Sequence, residues 1–233
     1  MLKRTQSPIS KELIKQSNYY LPNFKNEKEF KRINMNTWAE FMYYKYDRFN
    51  VKNNICSIDI GTKNFISLYG VTGTCFKIKS DYKIIDDILQ DKNISYEDKD
   101  SLITKLIVEL HEKSAKFICN NYDIIYVGYV NNKGNINSRE METIEDNLLK
   151  ILCHTEFLDT LKFYAKKYKK ELKIVDESFT SKQCSSCGEF NKFERIIDPD
   201  DSERRKYICK YCGFTADRDL NASRSILIKN EHL

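Results

Sequence analysis

The chain has 233 residues, 41% of them hydrophobic, and its 39 Lys+Arg against 34 Asp+Glu leave a net charge of +5. That apolar share supports a packed core, which excludes wholesale disorder, and no run approaches the ~18–20 consecutive apolar residues of a membrane span. With 7 glycines and 3 prolines the collagen-like and low-complexity classes are excluded too, and the charge excess permits an anionic partner without demanding one. The opening MLKRTQSPIS carries no apolar leader core, so the expected location is intracellular, with nucleus and cytoplasm both open.

Residues 1–53 read as a basic and aromatic amino-terminal segment, punctuated by Pro8 and Pro22. Trp38, Phe41, Tyr43, Tyr44, Tyr46 and Phe49 interleave with Lys45 and Arg48, a pattern that suits base stacking beside phosphates or a helix packed on the next domain. From Ile55 the period becomes two: strands over 55–60, 65–69 and 74–79, joined by tight turns, predict an antiparallel meander. A polar, irregular stretch is expected to about 98. Leu102, Leu106, Ile107, Leu110, Ala115 and Ile118 then predict a helix over 99–120. The dense apolar run 124–130 reads as a buried strand ending in a loop at 131–134. A helical region from 140 to 170, interrupted near 153–155, a strand over 172–175 and a final helix from 219 complete the order. A strand that returns after a helix lies parallel to an earlier one. The expected fold is therefore α/β, a mixed five-stranded sheet with flanking helices, an order similar to that of the ribonuclease H-like fold.

The cysteines carry more specific chemistry. Of the 8, four form matched knuckles, Cys184-Ser-Ser-Cys187-Gly and Cys209-Lys-Tyr-Cys212-Gly, with 21 residues between them. Two intervening residues let both sulfurs of a knuckle face one ion, and the glycine relieves the turn. Four thiolates select tetrahedral zinc, with iron the chemical alternative, and a shell filled by protein makes the ion structural. A redox dithiol is the other reading. Cys56, Cys75, Cys119 and Cys153 read as small buried hydrophobes.

Asp59 lies inside an apolar strand, on the face of Ser57 and opposite Ile58 and Ile60, where a charge must be paired, exposed or bound to metal. Asp176-Glu177 closes the fifth strand, and Asp217-Arg218-Asp219 precedes the last helix. Converging strand ends would let such carboxylates hold two Mg²⁺ or Mn²⁺ ions for attack on a phosphodiester, hard oxygen donors suiting those ions. His111, His154 and His232 are isolated and read as surface or helix residues. Lys162, Lys166, Lys167, Lys169, Lys170, Lys173 and Lys182, with Arg204, Arg205 and Lys206 in the cysteine segment, suit phosphate contacts; for 162–173 a solvated helix face explains them equally.

The segments Ser57-Ile58-Asp59-Ile60-Gly61, Phe179-Thr180-Ser181-Lys182-Gln183-Cys184-Ser185-Ser186-Cys187-Gly188, Cys209–Gly213 and Asp217-Arg218-Asp219-Leu220-Asn221-Ala222-Ser223 occur in that order. Over 54–229 they resemble the RuvC-like nuclease region of TnpB, the transposon-encoded RNA-guided endonuclease, a module that type V CRISPR effectors share. The resemblance implies a RuvC-like core over 54–180 and 214–233 and a zinc ribbon inserted over 181–213, with zinc on Cys184, Cys187, Cys209 and Cys212. It also implies DNA as substrate, a guide RNA as partner, no membrane, and catalytic Mg²⁺ or Mn²⁺; oligomeric state is left open. The family pattern favours Asp219 as the last catalytic acid, with Asp217 a neighbour; capping the final helix is the structural role open to Asp219.

Two departures stand out. Where TnpB carries its second catalytic glutamate at the end of the fourth strand, this chain has Gly128. Glu177, just upstream of the Thr-Ser-Lys-x-Cys segment, is similar to the relocated glutamate of Fanzor, the eukaryotic and viral relative. The catalytic set implied is Asp59, Glu177 and Asp219. Secondly, only about fifty residues precede the first strand, where the family carries guide- and target-binding domains, so a shortened copy is expected. The rival expectations are a nuclease-inactive, transposon-derived nucleic-acid-binding protein and a zinc ribbon that binds only proteins.

Overall fold

Period-two runs of Ile, Val, Phe and Tyr build the sheet, and 3.6-period runs build its cover. The computed structural model describes residues 11, 31–34, 39–44, 54–61, 64–80, 82–128, 151–190 and 206–231. In chain order the elements are β1 (Lys31–Asn34), β2 (Ala39–Tyr44), β3 (Ile55–Ile60), β4 (Asn64–Gly70), β5 (Cys75–Ser80), α1 (Tyr82–Gln90), α2 (Tyr96–Asn121), β6 (Ile124–Gly128), α3 (His154–Lys167), β7 (Glu171–Val175), β8 (Lys206–Ile208), β9 (Thr215–Asp217) and α4 (Arg218–Glu231). No helix among the described residues is long and apolar enough to cross a membrane.

One sheet runs in the order β1-β2-β5-β4-β3-β6-β7, and β8-β9 form a separate antiparallel pair. The five strands expected from the sequence lie together in it. The meander β3-β4-β5 is antiparallel, and β6 and β7, each reached through a helix, run parallel to their neighbours. This is the RuvC-like arrangement.

Two stretches depart from expectation. The segment around Phe41 is strand rather than helix: β1 and β2 pair antiparallel and extend the sheet from the edge of β5. Aromatic residues suit a pleated surface, and an open edge offers unpaired backbone groups to receive them. Trp38, Tyr46 and Phe49 of that cluster lie outside the described residues. The stretch expected to be irregular forms α1, with Ile84 and Ile85 turned to the core, and α2 starts earlier than predicted. Its first turn is fixed by Ser95, whose hydroxyl oxygen accepts the Asp98 N–H at 3.1 Å. The interruption expected near 153–155 is real: Cys153 takes a left-handed conformation (φ 47°) just before α3, while 129–150 lie outside the described residues.

Alternation sorts the strands into two faces. Cys56, Ile58, Ile66, Leu68, Ile78, Ile125 and Val127 pack under α2 and α3 with Leu110, Phe157 and Leu161. The opposite face, bearing Ser57, Tyr69, Cys75 and Tyr126, is covered by α4, which packs on β3, β4 and β6. A register shift between Asn64 and Ile66 breaks the alternation, so that Phe65 and Ile66 enter the same cluster. Phe65 stacks there on His111 (5.4 Å, 12° between rings), with His154 tilted against it at 6.0 Å. Of the surface and helix readings His111 takes the helix one, as a buried residue of α2 with its Nε2 bonded to the Leu152 carbonyl at 2.9 Å. Of the cationic cluster, Lys162, Lys170 and Lys173 pair with Asp159, Asp123 and Glu171, which favours the solvated-face reading for those three.

Candidate functional site

Asp59 projects from β3 toward the first turn of α4, with Ser67 its register partner on β4. Two serine bonds fasten the helix to these strands: the Ser57 hydroxyl donates to the Ser223 carbonyl, and the Ser223 hydroxyl donates to the Ser67 carbonyl at 2.7 Å. Asp219 stands in that first turn, and its Oδ2 accepts from Asn64 Nδ2 at 2.7 Å.

The cap of α4 is Asp217, not Asp219. Asp217 Oδ1 accepts the N–H groups of Asp219 (3.0 Å) and Leu220 (3.1 Å), and its Oδ2 pairs with the ammonium of Lys77, a lysine only 2% exposed. Both oxygens of Asp217 are therefore engaged in holding the helix start, which leaves Asp219 as the carboxylate facing Asp59.

Glu177 follows β7 in a turn that Asp176 anchors. Lys229 of α4 donates to Asp176 Oδ2 at 2.8 Å and to the Ser178 carbonyl at 3.1 Å, and the Ser178 hydroxyl donates to Asp176 Oδ1 at 2.7 Å. Gly128 pairs with Val175 in the parallel register. A Cβ placed on Gly128 would lie 2.5 Å from Glu177 Oε2, 3.0 Å from Glu177 Cβ and 2.5 Å from Ile226 Cδ1. The carboxyl of Glu177 thus fills the space into which a side chain at 128 would project.

The acids strain one another. Burial pushes the Asp59 carboxyl well above the usual carboxylate range, and the nearby charges of Asp219 and Glu177 push it the same way against the opposing pull of Arg218. Burial, with a smaller push from Asp176, raises Glu177 to about 7. A divalent cation would relieve that repulsion, and an all-carboxylate donor set suits Mg²⁺ or Mn²⁺. Among the described residues only the four knuckle cysteines bring three or more such donor atoms within 4.8 Å of one another. Asp59, Glu177 and Asp219 do not form a group that tight.

The cysteine cage is tighter. Cys184 and Cys212 sulfurs lie 3.8 Å apart and those of Cys187 and Cys209 3.6 Å, close to the edge of about 3.8 Å expected for a tetrahedron with ~2.3 Å metal–sulfur bonds. Each knuckle closes alike: Gly188 (φ 78°) donates its N–H to the Cys184 carbonyl at 2.8 Å, and Gly213 (φ 72°) donates to Cys209 at 3.0 Å. Tyr207, Phe214 and Ala216 pack beneath the sulfurs. The four cysteines can hold a metal ion.

Asn64, Lys77 and Lys229 were not singled out by the sequence. Lys77 and Lys229 left a trace there, the first standing between Phe76 and Ile78 and the second directly after Ile226-Leu227-Ile228. Asn64 left none.

Comparison with known proteins bears on the fold and on the family likeness. The family model described as Cas12f1-like, TNB domain, matches residues 154–226. Putative transposase R186 of Acanthamoeba polyphaga mimivirus is 28% identical over 198 residues, covering 75% of this chain and 39% of that protein. TnpB-like protein L79 of the same virus is 29% identical over 204 residues, covering 76% and 38%. The chain thus spans less than two fifths of the length of these curated relatives. Among solved structures, the Cas12f1–sgRNA–target DNA complex matches with a TM-score of 0.56 at 21% identity, over 84% of this chain and 56% of the other. A CRISPR-Cas12f ternary complex matches with a TM-score of 0.50 at 18% identity, over 84% and 46%; both are likenesses of fold. The RuvC-like sheet and the twin cysteine knuckles agree with these relatives, and the chain is similar to TnpB-like proteins.

Proposed function

We propose that the chain carries the cleavage centre of a divalent-metal-dependent DNA endonuclease of transposon origin, with Asp59, Glu177 and Asp219 as its ion-binding acids. The observation that carries this reading is the Glu177 carboxyl lying over Gly128, 2.5 Å from where a Cβ would stand. A carboxylate is thereby supplied at the very strand end where Gly128 supplies none. Bound Mg²⁺ or Mn²⁺ would activate water and stabilise the leaving oxygen of the phosphodiester. The chain's own residues do the holding: Asn64 and the Asp217–Lys77 pair orient Asp219, and Asp176 with Lys229 orients Glu177. Cys184, Cys187, Cys209 and Cys212 would carry a structural zinc, in a ribbon over 181–213 from which the β8–β9 hairpin runs on through Asp217 into α4. DNA as substrate, with an RNA guide, is supported by the fold neighbours having been captured with sgRNA and target DNA.

The test is cleavage of labelled single-stranded DNA by the full chain with Mg²⁺ or Mn²⁺, before and after ribonuclease treatment, beside EDTA and Glu177→Ala. Metal-dependent cutting that Glu177→Ala abolishes is the expected result. Cutting that survives Glu177→Ala overturns the assignment, and folded, zinc-loaded protein that binds DNA but never cuts moves the chain to the nuclease-inactive binding class.

A further inference from the structure

We propose that Asn221 is a positioning residue that locks the first cysteine knuckle to the acid-bearing start of α4, so that zinc in the knuckles and the divalent ions at the acids bind as linked events. This rests on the acid-site reading above. Asn221 is 1% exposed, and its side chain uses both ends of its amide: Oδ1 accepts the Ser185 N–H at 3.0 Å, and Nδ2 donates to the Gln183 carbonyl at 2.9 Å. Ser185 sits inside the knuckle, directly after Cys184. Its carbonyl accepts from Arg224, one turn further along α4 and 4% exposed. Both backbone groups of one knuckle residue are therefore held by α4, and Asp219 stands two residues before Asn221 in the same helical turn.

The chain continues the link in both directions. Glu177 enters the ribbon through a bonded turn: its carbonyl accepts the Thr180 N–H at 3.1 Å and the Thr180 hydroxyl at 2.8 Å. The Phe179 carbonyl then accepts the Gln183 N–H at 3.1 Å. The second knuckle leaves through β9 to Asp217, the cap of α4. One proposed acid thus stands just before the ribbon and one just after it, and Asn221 bridges the gap. Asparagine suits the position because its planar amide offers a donor and an acceptor together. Aspartate would lose the donor and add charge, and alanine would strand two buried backbone groups.

The experiment reads binding, not turnover. Zinc transfer from the unchanged full chain to a chromogenic chelator is followed with and without saturating Mn²⁺, and Mn²⁺ affinity is taken from the free-ion EPR signal of zinc-loaded protein. Mn²⁺ is expected to shift the zinc-transfer equilibrium about tenfold toward the protein, since coupling between two binding sites is reciprocal. Zinc-loaded Asn221→Ala is expected to bind Mn²⁺ about tenfold more weakly, the usual scale for residues supporting a metal ligand, and to show less than twofold protection of its zinc. Arg224→Met moves both readings the same way and serves if Asn221→Ala does not fold. The inference is overturned if Mn²⁺ leaves zinc transfer unchanged in the unchanged chain, or if either variant holds zinc and binds Mn²⁺ normally. If the unchanged chain's Mn²⁺ affinity is indifferent to Asp59→Asn, the acid-site reading itself falls and this inference with it.

Discussion

Under α2 and α3 the sheet buries Cys56, Ile58, Ile66, Leu68 and Val127 against Leu110, Phe157 and Leu161; under α4 the same strands bury Ser57, Asn64, Ser67 and Lys77 beside Ser223 and Arg224. The first face is held by hydrocarbon, which is non-directional and scales with area. The second adds to its smaller apolar cluster hydrogen bonds and the ion pairs of the buried lysines Lys77 and Lys229, each of which fixes a particular atom in a particular place. Every proposed acid projects on the second side. A buried polar network contributes little net stability but defines geometry, so the difference between the faces is a division between holding the fold and holding the site.

The largest expected effect separates the two. Phe157→Ala empties a fully buried position whose ring meets Phe65 at 4.9 Å and His111 at 5.6 Å. It should cost about 3–5 kcal/mol in urea unfolding while Mn²⁺ affinity and zinc content stay unchanged in the folded fraction. A loss of ion affinity at the same time would break the division. Gly128→Ala should do the reverse. Its new methyl meets the Glu177 carboxyl and Ile226, a crowding worth about 1–3 kcal/mol, and expels Glu177 from its place. Unfolding should shift modestly while Mn²⁺ binding is lost, and unchanged Mn²⁺ binding would detach Glu177 from the site.

What the sequence made legible divides along related lines. The cysteine knuckles could be read because each is a local motif, and the facing of Asp59 because strand alternation is local too. The five central strands followed from their apolar runs, whereas β1 and β2 did not, since their aromatics suit a helix, a strand or a stacking surface alike. Glu177 could be named only through a family likeness. That its carboxyl lies over Gly128 depends on β6 and β7 pairing Gly128 with Val175, a register no local pattern carries. The assignment of the helix cap turned on Lys77, 140 positions away from Asp217, which engages one oxygen of that carboxylate and leaves the other for the cap. Contacts at such separations are set by topology, and the bonds of Asn64 and Lys229 are of the same kind.

The smallest expected effect is a pH dependence confined to the apolar face. Burial lowers the pKa of His111 and of His154, outweighing the backbone bonds at Leu152 and Gly61 that favour the charged form; Glu156 also favours it for His111, and His111 disfavours it for His154. The folded core therefore holds both imidazoles neutral to lower pH than the unfolded chain, which titrates them near the ordinary value of about 6.5. Above that value both states are neutral and stability is fully present. As pH falls through it, the unfolded chain takes up protons that the core refuses, and stability declines. Melting temperature should thus drop more steeply on acidification in the unchanged chain than in His111→Phe, where one of the two imidazoles is gone and only His154 continues to titrate. At about 2–4 °C per kcal/mol for a chain of this size, the two curves should diverge by a few degrees between roughly pH 7.5 and 5.5. Parallel curves would mean that His111 is protonated as readily inside the fold as outside it, and that the face under α2 and α3 is wetter than its packing against Phe65 and Phe157 requires.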